Sequence, residues 1–257
     1  MTRDAATRLR RMHDALFAAY GPQDWWPAQS HSQSDAETRF EVIVGAYLTQ
    51  NTAWKAVERS LDALRSANAL TPNGLRVTPL ARLQELIRPS GFITRKAPAL
   101  KAFLALLDSE FSGSLDWMAA APTQDLRKQL LDLPGVGPET ADAILLYAFG
   151  HSVPVADEYL RRVAERHGLL ASPIPRNVRG YESLAALTRQ AFAHDGAQDR
   201  MQLYNEFHAL IVAVGKAHCG STPRCENCPL AADLPHHAPI SASSTPKTEP
   251  SRQPARA

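Results

Sequence analysis

Apolar residues recur at helical spacing along most of this chain. In residues 2–21, for example, Leu9, Met12, Leu16 and Tyr20 fall on one face, and Gly21 follows as a stop signal. About ten segments show this periodicity, whereas alternating β-branched runs of the strand type are almost absent. The pattern therefore predicts an all-α fold.

The segment 235–257 differs from the rest because it is rich in proline and serine, and we expect it to be disordered. It carries the whole net charge of +2, so the remaining chain is neutral. Any contact with nucleic acid must then depend on local geometry. No apolar run approaches the ~20 residues that span a bilayer. Because the chain does not open with a signal-peptide segment, we expect a cytoplasmic protein.

The stretch LPGVGPETADAILLYAFG (133–150) predicts a tight turn between two helices. Gly135 and Gly137 are expected to adopt backbone angles that are closed to other residues. Pro138 suits the first position of a helix. Such a turn presents backbone N–H groups and a helix N-terminus, which together can bind a DNA phosphate. The alternative is an ordinary connector between helices.

Continued to LPGVGPETADAILLYAFGHSVPVADEYLRRV, this stretch resembles the helix–hairpin–helix and Gly/Pro–Asp region of the endonuclease III superfamily of DNA glycosylases. The motifs WWP, LTQNT, RPSGF and LY..FH occur in the order typical of its 3-methyladenine DNA glycosylase branch. The resemblance extends from about Trp25 to Cys228. It implies a monomer that binds double-stranded DNA.

The resemblance also implies two helical lobes with a cleft between them. One lobe would comprise residues 37–150, with the helix–hairpin–helix at 124–150. The other lobe would combine residues 1–36 with 151–234, which include the cysteine loop.

Asp157 matches the catalytic aspartate of the superfamily. A carboxylate beside the sugar stabilises the positive charge that develops there and can orient or deprotonate the attacking water. Spacing alone favours Asp157 as the N-cap of the following helix, whereas the motif matches favour the catalytic role, and both roles can hold at once.

Glu139 occupies the position of the lysine that forms a Schiff base in bifunctional relatives. Since a carboxylate cannot form an imine, we expect no lysine-based strand cleavage. An acid in the first turn is also favoured by the helix dipole.

Trp25, Trp26 and Pro27 resemble the stacking wall of the base pocket in the matching branch. Methylated purines are cations, so electron-rich rings could hold the flipped base without a strong general acid. Alternatively, these residues could fill the interface between the lobes. Lys216 matches a lysine near the pocket, but a phosphate contact or a solvated side chain is the alternative. We interpret His208 as a hydrogen-bonded core histidine.

Gln50 and Asn51 follow a buried helix. In relatives, the glutamine of this segment fills the gap that the extruded nucleotide leaves, although a polar helix end is the simpler interpretation. Phe40 and Phe92 could add to the aromatic wall of the base pocket, but we expect both to pack in the core. The remaining predicted DNA contacts lie in the hairpin: Leu133, Gly135, Val136, Gly137 and Thr140.

All three cysteines of the chain lie close together, at Cys219, Cys225 and Cys228. Relatives carry Cys-x6-Cys-x2-Cys-x5-Cys around a [4Fe–4S] cluster, whereas here the first spacing is five and Leu234 stands at the fourth position. A cluster completed by His236, His237 or solvent, a zinc ion held by the thiolates and a histidine, and a loop without metal all remain open.

The sequence thus predicts a base-excision DNA glycosylase that is monofunctional and acts on alkylated purines. Two alternatives remain. One is a glycosylase on the same scaffold for uracil, mismatched thymine or an oxidised pyrimidine. The other is a non-catalytic DNA-binding protein, against which Asp157 argues.

Overall fold

A computed structural model describes residues 3–23, 25 and 36–235, and all regular structure within them is helical. The predicted all-α fold is therefore confirmed. The α-helices of this part are α1 (Arg3–Tyr20), α2 (Ala36–Thr49), α3 (Trp54–Ser66), α4 (Pro72–Val77), α5 (Leu80–Leu86), α6 (Ile93–Phe111), α7 (Leu115–Ala119), α8 (Thr123–Leu131), α9 (Pro138–Ala143), α10 (Glu158–Arg166), α11 (Val178–Ala191) and α12 (Ala197–Ala217). Short 3-10 turns occur at Arg88–Ser90 and Ala231–Asp233. None of these helices is both long and apolar enough to cross a membrane.

Several helices begin at a residue whose side chain accepts a hydrogen bond from the first turn. Thr71 caps α4, Ser114 caps α7 and Asn177 caps α11 in this way, which satisfies a backbone N–H that the helix itself leaves unpaired. The predicted helix start at Pro138 is also confirmed. These local signals fix where the helices begin.

Two groups of helices build the core. In one group, α1 packs against α11 and α12, and α10 packs against α12. In the other, α2 contacts α3, α6 and α7, and ten of its fourteen residues are buried. A π-helical turn at Ile144–Ala148 continues α9 and contacts both α2 and α12. The second helix of the hairpin therefore lies at the junction of the two groups.

Candidate active site

Asp157 lies at the N-cap of α10, directly after the loop that leaves the π-helical turn. Its Oδ1 accepts a hydrogen bond of 2.8 Å from the N–H of Leu160, so the capping role that spacing suggested is real. The residue is only 8% exposed. Its second oxygen, Oδ2, lies 3.7 Å from Nε2 of His208. Capping thus uses one oxygen of the carboxylate and leaves the other facing α12.

His208 is buried on α12, as expected for a core histidine, but it also faces Asp157. Its Nδ1 lies 2.6 Å from the hydroxyl of Tyr147, which comes from the π-helical turn. The Trp25 ring meets His208 and Tyr147 edge-on, with centroid separations of 5.4 and 6.1 Å. Four side chains from four segments of the chain therefore meet at one place. The sequence did not predict that these four side chains lie together. The LY..FH motif marks His208 but does not indicate its neighbours.

The segment that carries Trp25 is tied down by α12. Oε1 of Glu206 accepts a hydrogen bond of 2.7 Å from the backbone N–H of Gln23. This contact holds Trp25 against His208, two residues further along α12. Trp26 and Pro27, the other two residues of the predicted wall, lie outside the described residues.

Glu139 lies in the first turn of α9 and interacts electrostatically with Asp157 and His208. Its side chain is exposed to solvent, although many protein atoms lie around it. This desolvation, reinforced by the charge of Asp157, raises the pKa of Glu139 to about 7, while His208 acts in the opposite direction. The position that holds lysine in bifunctional relatives is here a carboxyl group whose pKa is raised.

The hairpin turn differs from the prediction at one of its two glycines. Gly135 has a φ of +77°, which favours glycine, but Gly137 has a φ of −97° that any residue can adopt. The prediction was therefore wrong for the backbone angle of Gly137. A side-chain carbon at Gly137 would meet no atom within 4 Å. The absence of a side chain there leaves open space at the N-terminus of α9, where the first N–H groups lack intrahelical partners.

Two other hairpin residues face inward. The Val136 side chain is buried, and its N–H donates a hydrogen bond of 3.3 Å to the carbonyl oxygen of Leu133, which is half-buried. That N–H is therefore already used within the turn. The Thr140 side chain is buried as well.

Gln50 contacts the hairpin directly. Its Nε2 donates hydrogen bonds of 2.9 Å to the carbonyl oxygen of Gly135 and 3.0 Å to Oγ1 of Thr140. The neighbouring Asn51 is exposed and has a left-handed φ of 51°. The loop after α2 and the hairpin therefore form one continuous surface, with Asn51 at its exposed tip.

Lys96 is a buried residue that sequence reasoning missed. Its ammonium group donates three hydrogen bonds of 2.8 Å, to the carbonyl oxygens of Leu48 and Ser90 and to Oγ1 of Thr52. Burial lowers its pKa to about 8. Lys96 thus holds the end of α2 and the loop after it against the 3-10 turn.

Phe40 and Phe92 differ in their packing. Phe40 is fully buried, as predicted. Phe92 is 57% exposed, with a left-handed φ of 48° at the start of α6, and its ring centroid lies 5.7 Å from Nζ of Lys96. The prediction of core packing was therefore wrong for Phe92.

Lys216 is exposed in the last turn of α12. It lies about 12 Å beyond His208 along the helix axis, given the α-helical rise per residue. Its carbonyl oxygen accepts a hydrogen bond of 3.3 Å from Arg224. The backbone of Lys216 therefore contacts the cysteine loop, and a role of its side chain at the base pocket stays a prediction.

The cysteine loop surrounds a small cavity that is also lined by Arg166 and Leu234. Cys219 is buried, and Nη1 of Arg166 lies 3.0 Å from its Sγ. Desolvation, together with the other two cysteines, raises the pKa of Cys228. Within residues 3–23, 25 and 36–235, no three metal-binding side chains form a group that could hold an ion.

The fourth ligand position of the cysteine loop is Leu234, which cannot bind a metal. Two histidines, His167 and His218, line the same cavity as the three cysteines, but no three of these side chains are arranged to hold an ion. The metal content of the loop stays a prediction. The two histidines considered as substitutes, His236 and His237, lie outside the described part of the chain.

A glycine turn joined to a helix N-terminus, followed by a capped, buried aspartate, defines the class of helix–hairpin–helix DNA glycosylases. The sequence pattern of the HhH-GPD superfamily base excision DNA repair proteins matches residues 44–181. The chain belongs to this family, and it is a DNA N-glycosylase of base-excision repair.

Individual proteins support this assignment. A protein of Methanocaldococcus jannaschii, whose name provisionally calls it a DNA repair glycosylase, is 36% identical over 224 residues, which cover 86% of this chain and 93% of its own. The structure resembles Helicobacter pylori 3-methyladenine DNA glycosylase (MagIII) bound to 1,N6-ethenoadenine, with a TM-score of 0.66, 27% identity and coverage of 83% of this chain and 97% of that one.

The likeness to an endonuclease III–DNA covalent intermediate concerns the fold alone. The TM-score is 0.67 at 21% identity, with coverage of 91% of this chain and 96% of that one. The predicted two-lobed helical architecture is confirmed by these similarities.

Proposed function

We propose that this glycosylase removes alkylated purines of the 3-methyladenine type from duplex DNA, by a hydrolytic reaction without a covalent enzyme–DNA intermediate. The observation that carries the proposal is the contact of the Trp25 ring with His208, whose Nε2 faces Asp157. It joins an aromatic surface, suited to a flat cationic base, to a carboxylate suited to the sugar. The similarity to the H. pylori 3-methyladenine glycosylase supports the same substrate class.

The proposed chemistry assigns the central role to Asp157. As the glycosidic bond breaks, its electron pair stays with the base, and positive charge develops at C1′ of the sugar. The Asp157 carboxylate stabilises that charge. Water then adds to C1′, and its proton passes to the carboxylate or to solvent.

A methylated purine favours this arrangement because it is already a cation. It leaves as a neutral base and needs no proton from the enzyme. Stacking and cation–π attraction to Trp25 would suffice to hold it outside the helix.

Glu139 determines what the reaction leaves behind. A carboxyl group cannot form a Schiff base with C1′. We therefore infer that the product is an intact abasic site.

We infer that the DNA backbone docks on the hairpin rather than on a basic patch. The residues before the tail carry no net charge. The open surface at Gly137 and the N-terminus of α9 offer backbone dipoles to a phosphate. We infer that Asn51, at the exposed tip beside the hairpin, contacts the gap that the extruded nucleotide leaves in the duplex.

The decisive experiment measures release of 3-methyladenine, 7-methylguanine and uracil from matched duplexes. We expect release of the two methylated purines and little release of uracil. Trp25→Ala should slow that release by about 1–3 kcal/mol in activation free energy, the range for one base–aromatic stacking contact. Trp117→Ala is the matched control, because Trp117 is 64% exposed on α7, and it should leave the rate unchanged. Efficient excision of uracil without release of methylated purines would overturn the proposal.

A further inference from the structure

The two ring nitrogens of His208 have different neighbours. Nδ1 lies 2.6 Å from the hydroxyl of Tyr147, and Nε2 lies 3.7 Å from Oδ2 of Asp157. All three residues are buried, with at most 8% of each exposed. Bulk water therefore cannot readily substitute for these contacts. The position of the imidazole proton then decides which hydrogen bonds His208 makes with Tyr147 and Asp157.

Asp157 decides which nitrogen carries that proton. Burial raises the pKa of Tyr147 well above its ordinary value, so its hydroxyl stays neutral and can either donate to a bare Nδ1 or accept from an Nδ1–H. At the other nitrogen, an ionised Asp157 can only accept a hydrogen bond. A lone pair on Nε2 would face that negative charge, whereas an N–H there would be attracted to it. Asp157 thus favours a proton on Nε2, and the Tyr147 hydroxyl then donates to Nδ1.

We propose that His208, oriented by Tyr147, is a positioning residue that fixes the Asp157 carboxylate for attack on the sugar. Asp157 would then be held at both oxygens, with Oδ1 bonded to the N–H of Leu160 and Oδ2 directed toward the N–H of His208. This inference rests on the proposed role of Asp157 and adds two residues to that site.

The distance of 3.7 Å is longer than a hydrogen bond. Catalytic hydrogen bonds are often long before substrate binds and tighten in the reactive complex. We expect the Nε2–Oδ2 distance to shorten when the base pocket is filled, because the Trp25 ring contacts both His208 and Tyr147.

The charged groups around this pair are acidic. Asp157 faces His208 from α10, Glu139 interacts with it from α9, and Glu206 lies near Tyr147 on α12. Of these groups, Asp157 is the one that lies near Nε2, and its charge favours an N–H rather than a lone pair at that nitrogen.

The first test locates the proton directly. Nitrogen-15 NMR of the full-length protein should show His208 with its proton on Nε2, and Tyr147→Phe should disturb this signal. Tyr47→Phe is the matched control, since Tyr47 is a buried tyrosine whose hydroxyl has no hydrogen-bond partner among the described residues. A proton found on Nδ1 with Nε2 bare would overturn the inference.

The second test uses single-turnover base release from methylated DNA with enzyme in excess. Because small misplacements of catalytic groups are costly, we expect His208→Ala to slow the reaction by about 10- to 100-fold and Tyr147→Phe by about 10-fold. His208→Gln, which retains an N–H donor near the Nε2 position, should recover most of the rate. Binding to a duplex with an abasic-site analogue should change by less than about twofold, because no contact to the DNA backbone is removed.

The outcomes separate this inference from the proposed function. If Asp157→Asn is inactive while His208→Ala and Tyr147→Phe retain the full rate, the positioning role is wrong and the proposed function stands. If Asp157→Asn remains active, the proposed function itself fails. If His208→Ala does not fold, His208→Gln and Tyr147→Phe carry the test. Equal losses in the Gln and Ala variants would indicate packing alone and would overturn the positioning role.

Discussion

The side-chain amide of Gln50 donates a hydrogen bond of 2.9 Å to the carbonyl oxygen of Gly135, although 85 positions separate the two residues. The same Nε2 also donates to Thr140 Oγ1, in the first turn of α9. The loop that follows α2 is thereby fastened to the turn that would meet the DNA backbone. A mutation that displaces the loop after α2 should therefore also displace the hairpin turn.

Replacement of Gln50 should therefore weaken DNA binding. Gln50→Ala removes both hydrogen bonds, so the loop and the turn must be ordered when DNA binds. If this ordering costs about 1 kcal/mol, the scale of one net hydrogen bond, binding weakens roughly fivefold. The measurement is the Kd for a duplex with an abasic-site analogue, read by fluorescence anisotropy. Gln190→Ala, which changes an exposed glutamine on α11, serves as the control. Equal affinities of Gln50→Ala and the wild type would show that this fastening does not matter for binding.

The parts of the site that could be predicted from the sequence are those encoded locally. Proline at the start of α9 and aspartate before α10 are helix-start signals that act within three or four residues. Helix periodicity likewise gave the all-α fold. Local signals failed where one residue type serves several purposes. Gly137 has an ordinary backbone angle, and Phe92, though apolar, lies on the surface.

Contacts between distant segments could not be predicted in this way. The approach of His208 to Asp157 depends on how α12 packs against α10, and the three hydrogen bonds of Lys96 depend on where α2 ends relative to α6. A histidine or lysine within an apolar stretch signals only that some buried partner exists. Its identity follows from packing, which spacing along one chain does not specify.

The raised pKa of Glu139 predicts a specific pH dependence of stability. Its ordinary pKa is 4.5, and in the folded protein it is about 7. Between these values the unfolded state loses the proton first, so this residue's contribution to the free energy of unfolding falls as pH rises and levels off above about 7. Glu139→Gln removes this effect, so its stability relative to the wild type should increase from pH 5 to pH 8.

Urea unfolding at several pH values measures this difference. Glu110→Gln, at an exposed position near the end of α6, is the control and should show no such trend. A stability difference between Glu139→Gln and the wild type that is independent of pH would contradict the environment described for Glu139.

Base excision should leave the DNA strand intact. Since Glu139 replaces the amine that forms a Schiff base in bifunctional relatives, borohydride added during turnover should trap no enzyme–DNA adduct. Denaturing electrophoresis of the products measures both strand cleavage and adduct formation. A trapped adduct would show that another amine, such as the exposed Lys216, reaches the sugar.

The cysteine loop should not hold a stable iron–sulfur cluster, because Leu234 occupies the fourth ligand position. We propose that protein purified in air contains far less than one cluster per chain, with little absorbance near 400 nm. Iron and acid-labile sulfide analysis, in parallel on protein purified without oxygen, checks this prediction. A stoichiometric cluster that survives aerobic purification would contradict this prediction and would require a fourth ligand in place of Leu234, such as His167 or His218, which line the same cavity.

The central claim is that the Asp157 carboxylate stabilises the positive charge on the sugar as the glycosidic bond breaks. Asp157→Asn tests this claim most directly. Asparagine retains an oxygen that can cap α10, so the fold and the affinity for an abasic-site analogue should change little. Removal of the negative charge should slow single-turnover release of 3-methyladenine by about 100-fold or more, the scale seen when one electrostatic contact to a transition state is lost. Release by Asp157→Asn at the wild-type rate, with DNA binding intact, would contradict the account.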